Sequence, residues 1–161
     1  MKRVLILGCP GSGKSYFSKK LAEKTGLPLI HLDNIYWNKD KVSCSHEEFL
    51  EKIQPILKED EWILDGNYHH SLVERMERCT EIFFLDIPFE ECVKGIRNRI
   101  DVVRDDIPWV ESEDDANELI DWIQSYKDNR PLELELIEQY PQIKVVTFKD
   151  RKEINAYLES L

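Results

Sequence analysis

The sequence predicts an α/β fold, a three-layer sandwich in which helices cover both faces of a five-stranded parallel sheet. Two observations carry this prediction: five short apolar runs alternate with amphipathic helical stretches, and the first run is followed at once by a glycine-rich loop. Strands that alternate with helices pair in parallel, because each helix returns the chain to the same edge of the sheet. We expect one domain over residues 1–161, long enough to bury a sizeable core.

The first strand is predicted over residues 2–7, where the run Val4–Leu7 is typical of a strand buried on both faces. Residues 8–15 then fit the pattern Gly, four residues, Gly-Lys-Ser/Thr of a phosphate-binding loop. Glycines let successive N–H groups face phosphate oxygens, and the helix predicted over 14–25 points its positive N-terminus at them. The predicted nucleotide contacts are Gly8, Pro10, Gly11, Ser12, Gly13, Lys14, Ser15 and Tyr16.

Two residues of the loop have separate predicted tasks. Lys14 would bring a point charge to the outer phosphates, and the Ser15 hydroxyl would bind a Mg²⁺ ion that bridges them. We therefore expect ATP and Mg²⁺ as cofactors, with Ser15 as a metal ligand.

The second strand is predicted over residues 27–32 and leads into Asp33. Ligands of parallel sheets gather at the carboxyl ends of strands. The Asp33 carboxylate could accept the proton of a substrate hydroxyl or orient it, or it could cap the next turn. The rings of Tyr36 and Trp37 could offer a flat surface to a base, or could serve only in packing.

A capping box of Ser45 and Glu48 predicts the start of the next helix, in which Pro55 would bend the axis or shift the start. The third strand, 62–64, ends in Asp65, followed by Gly66, Asn67 and Tyr68. Asp65 is the first candidate for the magnesium shell. Asp86 after the fourth strand, 82–85, is the alternative, and either carboxylate could instead cap a turn.

Arginines in the second half of the chain are candidate phosphate clamps. A helix is predicted over 89–104, with Arg99 and Arg104 just beyond the two edges of its apolar stripe. Together with Arg130 they could bind the transferring phosphoryl group bidentately; surface salt bridging is the alternative. Arg75, on a short helix after residue 72, is a weaker candidate for contact with the acceptor.

The remaining elements follow from the same patterns. Residues 105–114 are acidic and carry Pro108-Trp109, which predicts a mobile excursion. Helices are predicted over 115–126 and from Pro131 to about 139, then a fifth strand over 143–148 and a last helix capped by Asp150.

Composition limits the partners. The formal net charge of −10 disfavours direct binding to nucleic acid or to an anionic membrane. No run approaches the roughly 20 apolar residues of a membrane span, the N-terminus lacks a signal-peptide pattern, and the four cysteines have no metal or redox spacing. We expect a cytoplasmic protein.

The whole chain resembles adenylate-kinase-like P-loop proteins of the DNA topology modulation (FlaR-type) family. The stretches that carry the resemblance are GCPGSGKS (8–15), HLDNIYW (31–37), EWILDGNY (61–68), IFFLDIP (82–88) and NRPLELELIEQY (129–140). The resemblance implies the P-loop NTPase fold of nucleoside and nucleotide kinases. It also implies an acceptor-binding region at about 34–60 and a lid at about 97–130.

In nucleoside monophosphate kinases the third strand ends in Asp-Gly-Phe-Pro-Arg, where Asp serves the magnesium shell and Arg holds the acceptor phosphate. Asp65-Gly66 matches this pattern, whereas Asn67, Tyr68 and His69 replace the last three residues. HLDNIYW is instead similar to kinases that phosphorylate a hydroxyl of a nucleoside or vitamin, in which the matching Asp acts as a base.

The predicted function is Mg-dependent transfer of the ATP γ-phosphate to a small molecule. The catalytic residues would be Lys14, Asp33, Asp65, Arg99, Arg104 and Arg130; acceptor contacts would be Asp33, Trp37, Asn67, Tyr68 and Arg75; metal ligands would be Ser15 and Asp65. Two alternatives are an ATP-dependent regulatory protein that affects DNA topology, as the resemblance suggests, and nucleotide binding with negligible turnover.

Overall fold

A computed structural model describes residues 1–128 and 132–161. The strands are β1 (Arg3–Gly8), β2 (Leu29–His31), β3 (Trp62–Asp65), β4 (Glu81–Leu85) and β5 (Lys144–Phe148). The α-helices are α1 (Lys14–Thr25), α2 (Asp33–Tyr36), α3 (His46–Lys58), α4 (Leu72–Met76), α5 (Phe89–Arg97), α6 (Glu113–Asp128), α7 (Leu132–Glu138) and α8 (Arg151–Ser160). A 3₁₀ turn, His69–Ser71, precedes α4.

The sheet has the order β2-β3-β1-β4-β5, and all of its strand pairs are parallel. This confirms the predicted five-stranded parallel sheet. β1 lies at the centre, and the chain crosses from one side of it to the other between β3 and β4. Such a reversal opens a crevice at the carboxyl ends of the strands, and the glycine-rich loop leaves β1 at that crevice.

Two apolar clusters cover the two faces of the sheet. Alternate residues of β1 supply them, with Val4 and Ile6 in one and Leu5 and Leu7 in the other, as the period of a strand dictates. The first cluster takes residues from α1, α5, α6 and α8, and the second takes residues from α3, α4 and α7. The three layers of the prediction are therefore present.

Two helix starts follow their sequence signals. Ser45 and Glu48 form the predicted capping box at α3, with Pro55 accommodated inside the helix. Asp150 accepts hydrogen bonds from the N–H groups of Lys152 and Glu153 at the start of α8. No helix among the described residues is long and apolar enough to cross a membrane.

The predicted helix 89–104 is wrong in its second half, because α5 ends at Arg97. Val103, which fits the apolar stripe, is 83% exposed, and Asp101 has a left-handed backbone (φ 59°) that no α-helix contains. The Asp101 N–H instead donates to the Glu111 carbonyl at 2.8 Å. Arg99 and Arg104 thus belong to an irregular segment, residues 98–112, between α5 and α6.

Two other boundaries differ from the prediction. β2 ends at His31, so that Asp33 opens the short helix α2 and does not follow the strand directly. α6 starts at Glu113, where Ser112 and Asp115 exchange hydrogen bonds across its first turn. Pro131 and Arg130 lie outside the described residues.

Candidate active site

The glycine-rich loop packs directly on the backbone of α5. A Cβ at Gly11 would lie 2.1 Å from the Cys92 carbonyl oxygen, and a Cβ at Gly95 would lie 2.2 Å from the Gly11 carbonyl oxygen. Gly11 also has φ 80°, in the region that only glycine adopts without strain. The loop can therefore approach α5 this closely only because both surfaces lack a side chain.

Two side chains hold the start of the loop. Lys14 Nζ donates to the carbonyl oxygens of Gly8 at 2.8 Å and Cys9 at 3.1 Å. The Asn67 amide accepts from the Gly8 N–H at 3.0 Å and donates to the Gly8 carbonyl at 2.9 Å. Asn67 also lines a larger cavity, described below, but both ends of its amide bond the loop. Its role as an acceptor contact stays a prediction.

The loop borders a recess of about 170 Å³. Its lining residues are Gly11, Gly13, Lys14, Ser15, Tyr16, Gly95, Arg99, Arg104 and Arg151. Five of the eight predicted nucleotide contacts are among them, whereas Pro10 lines a larger neighbouring cavity and the Ser12 side chain is fully buried. The guanidinium groups of the 98–112 segment thus share a wall with the loop.

Asp65 lies beside Ser15, the other predicted metal ligand. Its Oδ2 is 3.1 Å from Ser15 Oγ and 2.7 Å from His31 Nδ1, because β2 and β3 pair with His31 opposite Asp65. Asp86, the alternative, forms an ion pair with Lys149 and does not line the cavity.

The Ser15 hydroxyl also contacts the Asp106 carboxylate. Among the described residues, no group of three or more His, Cys, Asp or Glu side chains has the arrangement of a metal site. Nucleotide-bound Mg²⁺ needs only one or two protein oxygens and completes its shell with phosphates and water. The oxygens of Ser15 and Asp65 fit that requirement, and their role as metal ligands stays a prediction.

The arginines of the 98–112 segment are held by carboxylates of the same segment. Arg104 Nε donates to Asp106 at 2.9 Å and its Nη1 to Glu111 at 2.8 Å, while Arg99 Nε lies 2.7 Å from Glu111. Burial opposes the charge of Asp106, but the hydrogen bonds from Arg104 and Ser15 outweigh it and hold its pKa well below the usual range. Burial lowers the pKa of Arg99. The segment therefore carries its own counter-ions.

A cavity of about 950 Å³ extends from the loop between residues 31–37 and 66–70. Asp33 lies in its wall and accepts a hydrogen bond from the Tyr68 hydroxyl. Burial raises the pKa of Asp33, and the nearby Asp65 charge adds to this, although the Tyr68 hydrogen bond opposes it. Asp33 is thus a more basic carboxylate than an exposed aspartate.

Aromatic rings line the far side of this cavity. Tyr36 and Tyr68 have ring centroids 4.9 Å apart, and Trp37 lies edge-on to Trp109 at 5.6 Å. Trp37 comes from the end of α2 and Trp109 from the 98–112 segment. The two indoles therefore join the predicted acceptor region to the predicted lid.

Arg75 differs from its expected role as an acceptor contact. It is fully buried and does not line the cavity. Its guanidinium donates to the carbonyls of Gly66 at 2.8 Å and Tyr68 at 2.9 Å, and its Nε to Ser71 Oγ at 3.1 Å. Burial lowers the Arg75 pKa to about 10. The Arg75 guanidinium is thus occupied by backbone carbonyls, and this arrangement disfavours a contact with an acceptor.

Sequence reasoning missed four residues that border the site: His31, Asp106, Trp109 and Arg151. His31 stands two residues before Asp33, but its contact with Asp65 depends on which strands are neighbours, and the sequence does not state this. Asp106 and Trp109 fall in the acidic stretch that was expected to be a mobile excursion. Arg151 follows the recognised cap Asp150, and its guanidinium donates to the Gly11 carbonyl at 3.3 Å.

No family model matches the chain. Adenylate kinase from Thermotoga neapolitana is 32% identical over 88 residues, which are 53% of this chain and 39% of that protein. Adenylate kinase from Thermosipho melanesiensis is 31% identical over 85 residues, 52% of this chain and 38% of that protein. The matched part of the chain thus spans about two fifths of the length of these relatives.

Shikimate kinase from Bacteroides thetaiotaomicron, solved at 1.7 Å, superposes with a TM-score of 0.64. The match covers 99% of this chain and 95% of that one, at 18% identity. Together with the parallel sheet and the glycine-rich loop, this likeness shows a P-loop NTPase fold of the kinase type. The chain therefore shares its fold with this kinase, and over about half of its length it is similar in sequence to adenylate kinases.

Proposed function

We propose that this protein transfers the γ-phosphoryl group of Mg·ATP to a hydroxyl group of a small molecule. The observation that carries the proposal is one cavity of about 950 Å³ whose lining includes both Lys14 of the phosphate-binding loop and the partly buried carboxylate of Asp33. A donor subsite and a candidate base that open into one space are what direct phosphoryl transfer requires.

The donor half consists of the loop and its surroundings. N–H groups of the loop and Lys14 would cradle the phosphates, and Ser15 with Asp65 would hold Mg²⁺, which neutralises charge on the transferring group. The guanidinium groups of Arg99 and Arg104 would exchange their carboxylate partners for phosphate oxygens, and this preorganised charge would stabilise the transition state. In this proposal the lid comprises residues from about 97 to about 130.

The acceptor half centres on Asp33. Its Oδ1 accepts the Tyr68 hydroxyl hydrogen bond, which fixes the orientation of the carboxylate. The carboxylate would take the proton of the acceptor hydroxyl. As it does so, the hydroxyl oxygen forms a bond to the γ-phosphorus. The bond between that phosphorus and the bridging β–γ oxygen breaks, and ADP leaves. A pKa raised by burial makes Asp33 a stronger base for this step. The acceptor-binding region would include residues 34–60.

The test is ADP formation from Mg·ATP with nucleosides, nucleoside monophosphates or small vitamins added separately, and with double-stranded DNA in a further assay. We expect one small acceptor to stimulate ADP formation and to gain a phosphate, detected by mass. Lys14→Ala should lower turnover at least 100-fold. Lys20→Ala should not, because the Lys20 side chain is 44% exposed and pairs with Glu23 on the same helix.

Asp33→Asn separates the two halves of the proposal. Acceptor phosphorylation should fall far more than ATP affinity, and Asp40→Asn in an exposed loop is the matched control. Equal losses of acceptor phosphorylation and of ATP affinity would indicate that Asp33 has a structural role or serves the metal site. Stimulation by DNA alone would instead favour the regulatory function that the FlaR-type resemblance suggests.

A further inference from the structure

We propose that His31 is a positioning residue for the magnesium site. Its imidazole holds the Asp65 carboxylate in the orientation in which that carboxylate serves a Mg²⁺ ion bound at Ser15. This inference rests on the proposed function and adds a residue to its donor half. Two features carry it: a short hydrogen bond between His31 and Asp65, and the strand pairing that places the two side chains together.

The pairing of β2 with β3 builds the contact. His31 and Asp65 are the last residues of their strands and lie opposite each other in the parallel register. The Leu32 N–H donates to the Asp65 carbonyl at 3.0 Å, so the two chains stay paired one residue beyond His31. Paired residues of neighbouring strands project to the same face of a sheet. The backbone therefore fixes the imidazole beside the carboxylate.

The bond from His31 is the shortest that the Asp65 side chain makes within the described part of the chain. His31 Nδ1 is 2.7 Å from Asp65 Oδ2, whereas Ser15 Oγ is 3.1 Å and Ser18 Oγ 3.5 Å from the same oxygen. An ionised carboxylate, the form that binds Mg²⁺, only accepts hydrogen bonds, so His31 Nδ1 carries the proton and donates it. A hydroxyl proton can rotate to another acceptor, but a ring N–H cannot.

The other groups around Asp65 do not replace this donor. The nearest cation of the loop, Lys14, bonds the carbonyls of Gly8 and Cys9. The Ser15 hydroxyl is shared with the Asp106 carboxylate. Without His31, Asp65 would keep only hydroxyl partners and could turn away from Ser15. Hydrogen-bond donors behind a metal-binding carboxylate typically contribute about 10–100-fold to metal affinity.

A direct role of His31 as a metal ligand is the competing explanation, because its ring also lines the cavity of about 950 Å³. Mg²⁺ takes oxygen ligands, whereas imidazole suits zinc, copper and nickel. The His31 side chain is 11% exposed, and its Nδ1 is occupied by Asp65. His31 therefore acts on Mg²⁺ through the carboxylate.

The experiment measures nucleotide binding with and without metal, and it needs no acceptor. Calorimetry on the intact protein gives the Kd for ADP in excess Mg²⁺ and in EDTA. His31→Leu should weaken Mg·ADP binding about 10-fold and leave ADP binding in EDTA unchanged, because the loop and Lys14 are intact. With Mn²⁺ in place of Mg²⁺, the electron paramagnetic resonance signal of the bound ion should need about 10-fold more metal to reach half-saturation.

Two amide variants test the direction of the bond. His31→Asn places an N–H near the position of Nδ1, whereas His31→Gln places one near Nε2. The Asn variant should recover the Mg·ADP Kd to within about 3-fold of the wild type, and the Gln variant should stay close to His31→Leu. If His31→Leu does not fold, this pair carries the test. His46→Leu is the control, because His46 lines the same cavity but is exposed at the start of α3.

The outcomes separate this inference from the proposed function. If His31→Leu bound Mg·ADP as the wild type does, or lost affinity equally in Mg²⁺ and in EDTA, the positioning role would be overturned while the kinase function stands. Equal Mg·ADP affinities of the Asn and Gln variants would overturn it in the same way. If Mg²⁺ did not strengthen ADP binding to the wild type, the magnesium site of the proposed function would fail as well.

Discussion

Replacing Arg75 with methionine tests whether this side chain supports the turn beside the cavity of about 950 Å³ or would contact an acceptor there. Methionine fills a similar volume but has no donor for the carbonyls of Gly66, Asn67 and Tyr68, which Arg75 now bonds. These carbonyls belong to the turn that carries the Asn67 amide to the phosphate-binding loop and the Tyr68 hydroxyl to Asp33. The substitution should therefore loosen both halves of the site at once.

The expected magnitude follows from the hydrogen bonds that are lost. A hydrogen bond from a charged donor contributes about 1.5–3 kcal/mol, and several on one side chain are not additive. Methionine recovers part of the loss through apolar burial, so we expect a decrease of about 3–5 kcal/mol in the free energy of unfolding. For a chain of this length, that is a fall of roughly 10 °C in Tm.

Thermal and urea unfolding measure the effect. Arg78→Met is the matched control, because Arg78 is exposed and donates one side-chain bond, from Nε to the Leu57 carbonyl at 3.1 Å. Its Tm should change by no more than a few degrees. Arg75→Lys should be intermediate, since lysine keeps the charge but not the planar fork. If Arg75→Met matched the control in stability and raised only the acceptor KM, Arg75 would be a substrate contact and this reasoning would be wrong.

Three further predictions concern the loop and the candidate base. Gly11→Ala should lower the free energy of unfolding by at least about 2 kcal/mol and weaken ATP binding, because its Cβ would meet the Cys92 carbonyl. Gly26→Ala is the control: Gly26 has a similar positive φ but no atom within 4 Å of the added Cβ, so the cost should be about 1 kcal/mol. Equal Tm shifts for the two variants would refute the clash. Asn67→Ala removes both bonds to Gly8 and should weaken ATP binding about 10-fold by calorimetry; unchanged affinity would show that the loop holds its shape alone. Because its pKa is raised, Asp33 binds more protons in the folded than in the unfolded chain, so stability falls as pH rises from about 4 through the raised pKa. Asp33→Asn should therefore unfold at a higher temperature than the wild type at pH 8 and lose this advantage near pH 4. A pH-independent difference in Tm would contradict the raised pKa of Asp33.

The sheet could be predicted because its signals are local. Val4–Leu7 reveal a buried strand, and the glycine pattern after it fixes a strand-to-helix turn within eight residues. Ser45 and Asp150 cap helices through residues no more than three positions away. Such contacts follow from short-range chemistry, which sequence patterns contain.

The rest of the site depends on contacts between distant parts of the chain. The apolar stripe that includes Val103 continues the helical period beyond Arg97. The structure instead has an irregular segment there, in which Arg104 forms ion pairs with Asp106 and Glu111. Arg75 has the pattern of an exposed charge on a short helix, and its burial depends on carbonyls that lie seven to nine positions earlier. His31 meets Asp65 only because β2 lies beside β3.

If Arg99 and Arg104 bind phosphate as proposed, the carboxylates that hold them would also select among anions. An ion that approaches these guanidinium groups competes with Asp106 and Glu111, which the chain tethers at a high effective concentration. Chloride or another free monovalent anion, which has one charge and no tether, would compete poorly with these carboxylates. A polyphosphate bound to the loop, as proposed, would itself be tethered and would compete on equal terms. Under the proposed function, the two arginines would therefore bind an anion only when it has a second point of attachment at the loop.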